Sequence, residues 1–235
     1  MKYDINEIDG HVLLNLDEGA FIVDTGSQAS FARGGRVSFG GASVALPTSA
    51  MGMLDADTLS GYVGMRLDGL LGMNVLGRHR LTFLRHELLV DDAGTGPDSG
   101  GEPGGAQFQE LETGKIMGIP LITVGVNQRK ARVFVDSGAK ISYLDAELLS
   151  GCPVDETLDD FYPLFGEFDV DVSNVQCILE GCPFSAKFGR LPALLQMSLG
   201  MAGVDGILGH DLFAAYAIRI GRGGSPVSFM PHMEL

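Results

Sequence analysis

A short pattern occurs twice in this 235-residue chain, and it constrains the fold more than any other feature of the sequence. Residues 21–27 read FIVDTGS, and residues 133–139 read VFVDSGA. Each copy is followed by a second element, DGLLG at residues 68–72 and DGILG at residues 205–209. An apolar run that ends in Asp-Thr/Ser-Gly places a carboxylate at the end of a buried strand, beside a tight turn. Two such halves predict two aspartates that face each other.

The composition predicts a mostly β protein with few, short helices. Short runs of Val, Ile, Leu and Phe alternate with turn residues, and 34 residues are glycine. A chain of this length can form one large domain or two small lobes, and it can bury a core without disulfides. The cysteines, Cys152, Cys177 and Cys182, are odd in number and are not spaced like metal ligands. We interpret them as reduced thiols, with a Cys177–Cys182 bridge as the alternative.

The charge of the chain argues against nucleic-acid and membrane partners. The formal net charge is −14, from 30 acidic and 16 basic residues, so the surface repels phosphate backbones and anionic headgroups. No segment reaches the roughly 18 consecutive apolar residues of a membrane helix, and the first residues do not resemble a signal peptide. We therefore expect a soluble, cytoplasmic protein.

The repeats predict two lobes joined by a linker. Residues 91–106 are rich in Gly, Pro and Asp and poor in apolar side chains, which is typical of an exposed, flexible connection. The predicted division is an N-terminal lobe at 1–90, this linker, and a C-terminal lobe at 107–235. The second lobe contains an insertion, and alternating polarity within 165–188 predicts a hairpin that turns near Gly181. We expect this hairpin to be a mobile flap over the site.

Two facing carboxyl groups would support acid–base chemistry on water. Carboxyls about 3 Å apart cannot both ionise easily, so they share one proton over a wide pH range. The ionised member can deprotonate a water molecule while the protonated member polarises a carbonyl. This chemistry needs no cofactor and no metal. The hydroxyls of Thr25 and Ser137 could hydrogen-bond across the interface, and Gly26 and Gly138 leave room for N–H groups to point at the carboxylates.

These motifs resemble those of two-lobed, single-chain aspartic peptidases of the pepsin and retropepsin type. The resemblance covers about residues 12–220 without the linker, and each half is near the size of one retropepsin subunit. It implies a bilobal acid-protease fold with two retropepsin-like β lobes related by a pseudo-twofold axis. It also implies that Asp24 and Asp136 are catalytic. The residues implied to support the active-site loops are Thr25, Gly26, Ser27, Ser137, Gly138, Ala139, Gly72 and Gly209.

The chain departs from the family pattern at two places. Ala139 stands where pepsins tend to have a hydroxyl residue, although alanine is common in the retropepsin version. The first half is short and lacks a clear flap tyrosine, because Tyr62 lies too close to the DGLLG element.

Other chemistry-bearing residues are interpreted as structural. The five histidines are scattered and show no metal-ligand spacing, so we expect them to be surface or structural residues. Asp68 and Asp205 are expected to stabilise turns rather than to be additional catalytic acids. The Ser137–Lys140 segment matches Ser-x-x-Lys, but the motifs that accompany it in serine acyl-enzymes are missing. The acidic stretch 155–160 is interpreted as a solvated surface, with the alternative that it favours basic peptides near the cleft.

The sequence thus predicts an aspartic endopeptidase that acts on peptides or unfolded proteins. Because one chain supplies both aspartates, a monomer is expected. The alternative is a noncatalytic peptide-binding or regulatory protein that keeps the fold, since a fold does not by itself imply a function.

Overall fold

The structure is a computed structural model that describes residues 1–50, 52–91, 107–162 and 166–232. It is mostly β, with two sheet-rich lobes, as predicted. The strands of the first half are β1 (Lys2–Ile8), β2 (His11–Leu16), β3 (Gly19–Val23), β4 (Phe31–Ala32), β5 (Arg36–Phe39), β6 (Ala42–Ala45), β7 (Ser49–Ala50), β8 (Leu54–Asp55), β9 (Gly69–Leu71), β10 (Arg80–Phe83) and β11 (Glu87–Asp91).

The second half contains the remaining eleven strands of the described chain. They are β12 (Gln109–Glu110), β13 (Thr113–Ile116), β14 (Ile119–Val126), β15 (Arg129–Val135), β16 (Ser142–Leu144), β17 (Glu156–Tyr162), β18 (Gly166–Leu179), β19 (Cys182–Arg190), β20 (Gly206–Leu208), β21 (Tyr216–Ile220) and β22 (Val227–Pro231). The helices are α1 (Ala56–Val63), α2 (Met73–Leu76), α3 (Ala193–Met201) and α4 (His210–Ala215), with a 3₁₀ turn at Arg222–Gly224.

The two main sheets share a run of five strands in the same order. The first sheet has the order β12-β22-β21-β10-β11-β1-β2-β3-β9-β4, and the second has the order β13-β14-β15-β20-β16-β19-β18-β17. In the first, β3 runs parallel to β9, and in the second, β15 runs parallel to β20. The run β1-β2-β3-β9-β4 therefore corresponds to β13-β14-β15-β20-β16. The short strands β5 and β6, and also β7 and β8, form separate hairpins.

The glycine that follows the aspartate in DGLLG and in DGILG is required because two strands approach each other closely there. A Cβ at Gly69 would lie 2.2 Å from the carbonyl oxygen of Phe31, and a Cβ at Gly206 would lie 2.1 Å from that of Tyr143. Both distances are far shorter than a van der Waals contact, so each supporting strand passes its neighbour only because a side chain is missing. This explains why both copies contain the Asp-Gly pair.

The aspartates of these pairs stabilise loops, as predicted. A carboxylate oxygen of Asp68 accepts a hydrogen bond from the N–H of Ala20 at 3.2 Å, and one of Asp205 accepts from the N–H of Arg132 at 2.8 Å. Each carboxylate thereby ties its element to the strand that leads to the repeated Asp-Thr/Ser-Gly motif.

The insertion of the second half forms the antiparallel strands β17, β18 and β19. The 14-residue strand β18 pairs with β17 near its start and with β19 near its end. The second hairpin turns at Glu180 and Gly181, which have positive φ angles of 45° and 88°, so the predicted turn near Gly181 is present.

The two halves share a sheet and a core. Strand β21 pairs with β10, with Leu81 opposite Ile220, so strands from the end of the chain join the sheet of the first half. One buried apolar cluster includes residues of both halves, such as Phe21 and Val133. The predicted lobe boundaries therefore do not coincide with the edges of the sheets.

Three further sequence-based expectations concern the linker, the cysteines and membrane-spanning helices. Of the predicted linker, residues 92–106 lie outside the described residues. Cys152, Cys177 and Cys182 are free thiols. Among the helices in the described ranges, none has the length and apolar character needed to cross a membrane.

Candidate active site

The two repeated aspartates lie at equivalent positions, each directly after a central strand. Asp24 follows β3, and its N–H donates to the carbonyl of Leu71 at 2.9 Å. Asp136 follows β15, and its N–H donates to the carbonyl of Leu208 at 3.0 Å. The supporting strands β9 and β20 thus fix the start of both loops in the same way.

Thr25 and Ser137 lock the two loops together. The Thr25 hydroxyl donates to the carbonyl of Val135 at 2.7 Å and accepts from the N–H of Ser137 at 2.9 Å. The Ser137 hydroxyl donates to the carbonyl of Val23 at 2.7 Å and accepts from the N–H of Thr25 at 3.1 Å. Both side chains are fully buried, so each hydroxyl satisfies backbone groups that water cannot reach. The predicted cross-interface hydrogen bonds are present.

The interlocked loops bring the carboxyl groups of Asp24 and Asp136 into a mutual hydrogen bond. The N–H of Ser27 donates to Oδ1 of Asp24 at 2.8 Å, and the N–H of Gly138 donates to Oδ1 of Asp136 at 2.8 Å. A Cβ at Gly26 would lie 2.0 Å from Oδ2 of Asp136, and one at Gly138 would lie 2.6 Å from Cγ of Asp24. Each glycine therefore packs its bare backbone against the opposite carboxyl.

The surroundings make the two carboxyls unequal. Burial raises the pKa of Asp24 well above its usual value, and the negative charge of Asp136 and the hydrogen bond to that carboxyl raise it further. Burial also raises the pKa of Asp136, but the Gly138 N–H, the hydrogen bond from Asp24 and nearby His11 oppose this rise. Burial and the proximity of the two carboxyls therefore favour one shared proton over two ionised groups.

The remaining predicted site residues support these loops. The carbonyl of Ser27 accepts from the N–H of Met73 at 2.7 Å, and the carbonyl of Ala139 accepts from the N–H of His210 at 2.9 Å. A Cβ at Gly72 would lie 2.5 Å from the carbonyl oxygen of Ala29, and one at Gly209 would lie 2.4 Å from that of Ala139. Both glycines thus permit the supporting elements to touch the active-site loops.

Two serines complete this support, and the sequence interpretation missed them. The hydroxyl of Ser30 accepts from the N–H of Gly72 at 2.8 Å, and that of Ser142 accepts from the N–H of Gly209 at 3.0 Å. Both serines are buried. Each serine lies six residues after its aspartate, so an alignment of the two repeats that extends to these positions shows the shared serine.

A cleft of about 480 Å³ opens above the carboxyl pair. Apolar and aromatic side chains of both halves form much of its wall, among them Ile22, Phe31, Leu70, Ile119, Tyr143 and Ile207. Several of these come from equivalent positions of the two sheets. The cleft therefore has an ionisable base and apolar walls, which is the usual construction of a small-molecule or peptide site.

Side chains of the β17–β18 hairpin, rather than residues of the turn at Gly181, line the cleft. Phe161, Tyr162 and Phe168 line it. The Gly181 turn lies at the other end of β18, where Ile178 pairs with Gly125 beside the β14–β15 turn. Six residues of β15, or about 20 Å of extended chain, separate this end of β18 from Asp136. The predicted flap hairpin of 165–188 contributes Phe168 to the cleft wall, and its role as a mobile flap stays a prediction.

Aromatic contacts dock the β17–β18 hairpin on the first half. Phe161 stacks on Tyr62 of α1, with ring centroids 4.4 Å apart and an interplanar angle of 13°. The helix that carries Tyr62 is capped by Asp55, whose carboxylate accepts from the N–H of Thr58, and it ends at Gly64 in the left-handed conformation. Next to Phe161, Tyr162 lines the cleft, and its pKa is raised by burial and by the charge of Asp136.

The stretch 155–160 is not entirely a solvated surface. Asp160 lines the cleft, where it accepts a hydrogen bond from the hydroxyl of Tyr143. Burial raises the pKa of Asp160, while this hydrogen bond and the N–H of Phe161 oppose the rise. A second cavity of about 440 Å³ adjoins the cleft and is lined on several sides by carboxylates, so this end of the site has a negative potential.

His11 belongs to the site, although the sequence interpretation grouped it with the surface or structural histidines. It is only 4% exposed, lines both cavities, and places Nδ1 2.8 Å from the carbonyl oxygen of Gly138.

In the described ranges, no three His, Cys, Asp or Glu side chains converge as metal ligands.

Comparison with known proteins gives a distant structural similarity. No protein-family model matches the chain, and no curated protein sequence matches it. The solution structure of the Simian Foamy Virus (mac) protease is similar to part of the chain, with 18% sequence identity and a TM-score of 0.30. That match covers 44% of this chain and 91% of the viral protease.

Proposed function

We propose that this protein is an aspartic endopeptidase of the pepsin and retropepsin type, which hydrolyses peptide bonds with water activated between Asp24 and Asp136. The observation that carries the proposal is the hydrogen-bonded carboxyl pair at the base of a cleft. The interlock of Thr25 and Ser137 supports it, because it holds the two loops at a fixed separation.

In the proposed reaction Asp136 is the base and Asp24 the acid, because nearby His11 favours the ionised form of Asp136. Ionised Asp136 accepts a proton from a water molecule between the carboxyls, and the resulting hydroxide attacks the carbonyl carbon of the peptide bond. Protonated Asp24 donates its proton to the carbonyl oxygen, which gives a neutral tetrahedral intermediate. Asp136 then transfers its proton to the amide nitrogen, the C–N bond breaks, and Asp24 recovers a proton from the intermediate. Each carboxyl ends in its starting state without a covalent adduct.

The cleft suits an extended peptide with apolar side chains next to the cleaved bond. Its walls offer apolar surface from both halves, and the β17–β18 hairpin lines the site. Side chains buried there lose contact with water, which supplies binding free energy of about 25 cal/mol per Å² of apolar surface. We propose peptides or unfolded proteins as substrates, a monomer as the active form, and a cytoplasmic location, in keeping with the three free thiols.

The test is cleavage of a peptide library by the wild-type protein, Asp24→Asn and Asp136→Asn between about pH 3 and 7, the range that brackets a coupled carboxyl pair. Asp4→Asn, at an exposed position, is the matched control. We expect both site variants to lose about 10²- to 10⁴-fold in rate, because each removes one acid–base group of that contribution. Equal inertness of all four folded proteins would reject the peptidase and favour the noncatalytic peptide-binding alternative.

A further inference from the structure

His11 contacts the second active-site loop directly. It is the first residue of β2, and its Nδ1 atom lies 2.8 Å from the carbonyl oxygen of Gly138. Because a carbonyl oxygen only accepts hydrogen bonds, Nδ1 carries a proton in this contact. The side chain is buried, so this hydrogen bond is shielded from competition by water.

The hydrogen bond connects His11 to both carboxyls through one glycine. The N–H of Gly138 donates to Oδ1 of Asp136 at 2.8 Å. The Cα of the same residue packs so closely on Asp24 that a Cβ there would lie 2.6 Å from its Cγ. A displacement of Gly138 would therefore change the hydrogen bond of one carboxyl and the packing of the other.

The equivalent position in the other half carries a residue of different chemistry. Leu13 pairs with Ile22 and Leu121 pairs with Phe134, and each partner lies two residues before its aspartate. By this register His11 corresponds to Ile119, which also lines the cleft. Isoleucine can neither donate a hydrogen bond nor carry a charge. His11 thus breaks the symmetry of the two halves on the side of Asp136.

We propose that His11 is a positioning residue for the carboxyl pair: it holds Gly138 against Asp136 and, when protonated, keeps the single negative charge of the pair on Asp136. This inference rests on the proposed function, because it gives that reaction a fixed acid and a fixed base. The hydrogen-bond chain from His11 through Gly138 to Asp136 carries it.

Other charged groups surround His11 in the two cavities. At the base of the cleft are Asp24 and Asp136; Asp160 faces it from β17, and Lys140 lies beside it in an ion pair with Asp9 at 2.7 Å. The outer part of the β17–β18 hairpin adds Asp159, Glu167 and Asp169, and the neighbouring tyrosines are Tyr62, Tyr143 and Tyr162. With Lys140 engaged by Asp9, a proton on His11 supplies a positive charge beside Asp136.

The direction of the pH effect follows from this arrangement. A positive charge near Asp136 favours its ionised form, and His11 lowers the pKa of that carboxyl. Removal of the charge makes the first ionisation of the pair more difficult. The acid limb of the pH–rate profile therefore moves to higher pH when His11 cannot be protonated.

The experiment compares His11→Asn, which keeps an N–H donor but cannot ionise, with His11→Leu, which loses both properties. His86→Asn, at an exposed histidine outside the site, is the control. Two quantities are measured: the pH profile of kcat/KM on the best library peptide, and the titration of ¹³Cγ-labelled aspartates by NMR. Asp136→Asn assigns the resonance of the pair.

We expect His11→Asn to move the acid limb up by about 0.3–1 pH unit, a 2- to 10-fold loss of kcat/KM on that limb, while the value at the optimum changes less than about threefold. His11→Leu should also lose about 10-fold at the optimum, and His86→Asn should match wild type. An unshifted pH profile and carboxyl titration in folded His11→Asn would overturn the proposal.

The NMR titration separates this inference from the proposed function. A shifted carboxyl titration in a protein that cleaves no peptide would support the role of His11 and reject the peptidase. Peptide cleavage with an unshifted carboxyl titration would support the peptidase and reject the role of His11.

Discussion

At the scale of single residues, hydroxyl groups that satisfy the backbone of the opposite half hold the site together. Thr25→Val keeps the side-chain volume but leaves the N–H of Ser137 and the carbonyl of Val135 without their buried partner. We expect a loss of about 1–3 kcal/mol in the free energy of unfolding, measured in urea, because an unpaired buried polar group retains its desolvation cost. Thr25→Ser keeps the hydroxyl and should lose much less. Equal stabilities of Thr25→Val and wild type would contradict this role.

The raised pKa of Asp24 predicts a stability effect with a definite sign. A carboxyl whose pKa is higher in the folded state than in the unfolded state stabilises the fold below about pH 3.9, and that stabilisation disappears as the pH rises through the folded value. In Asp24→Asn this pH-dependent loss of stability does not occur. The difference in Tm between Asp24→Asn and wild type should therefore increase from pH 3 to pH 7, by about 3–5 °C for each pKa unit of the shift.

Calorimetry at several pH values measures this difference, with Asp4→Asn at an exposed position as the control. A constant difference in Tm over this range would show that Asp24 is not held in its protonated form.

The sequence predicted the residues of the site better than their supports. The repeated Asp-Thr/Ser-Gly pattern identified Asp24, Asp136 and the two interlocking hydroxyls, because these roles depend on residue type at a fixed position after a buried strand. Ser30 and Ser142 are also repeated, but a lone serine has many local uses and gives no signal by itself. The role of His11 depends on a contact with Gly138, 127 positions away, which no local pattern encodes.

At the scale of elements, the β17–β18 hairpin of the second half lines the cleft and contacts α1 of the first half. Strand β18 was predictable from alternating polarity, whereas β17 was not, because the acidic stretch 155–160 was interpreted as a solvated surface. The orientation of the hairpin was not predictable either, because the 14-residue strand β18 joins two hairpins and periodicity does not tell which end lines the cleft. In the structure Phe161 stacks on Tyr62 at the end of the hairpin that lines the cleft.

This contact gives a prediction about substrate binding. Tyr62→Ala removes the aromatic partner of Phe161 and loosens the hairpin, whereas Tyr62→Phe keeps the ring. An aromatic pair contributes about 0.5–1.5 kcal/mol, so we expect KM to rise about 2- to 12-fold in Tyr62→Ala with a smaller change in kcat. Steady-state kinetics on one library peptide measures both. An unchanged KM in Tyr62→Ala would show that the stacking does not hold the hairpin.

At the scale of the whole molecule, the two lobes are one structural unit. Strands β12, β21 and β22 complete the sheet of the first half, and Phe83 contacts Phe213 across the two halves at a centroid distance of 5.0 Å. The repeat predicted two lobes, but a strand pattern does not specify which sheet edge a distant strand will join. The sharing of strands therefore became evident only in the structure.

The shared sheet and core predict cooperative unfolding. Neither half can unfold without exposing apolar surface and unpaired strand edges of the other. We expect a single calorimetric transition, with equal calorimetric and van't Hoff enthalpies. Two resolved transitions would mean that the lobes are energetically independent.

The central claim is that Asp24 and Asp136 together stabilise a tetrahedral intermediate, and the affinity of a transition-state analogue tests it most directly. The analogue is the best library peptide with a hydroxyl-bearing tetrahedral carbon in place of the carbonyl of the cleaved bond. Calorimetric titration should show that wild type binds the analogue at least about 10²-fold more tightly than the parent peptide, and that Asp136→Asn loses this preference. Equal affinities of wild type for the analogue and the parent peptide would contradict the account.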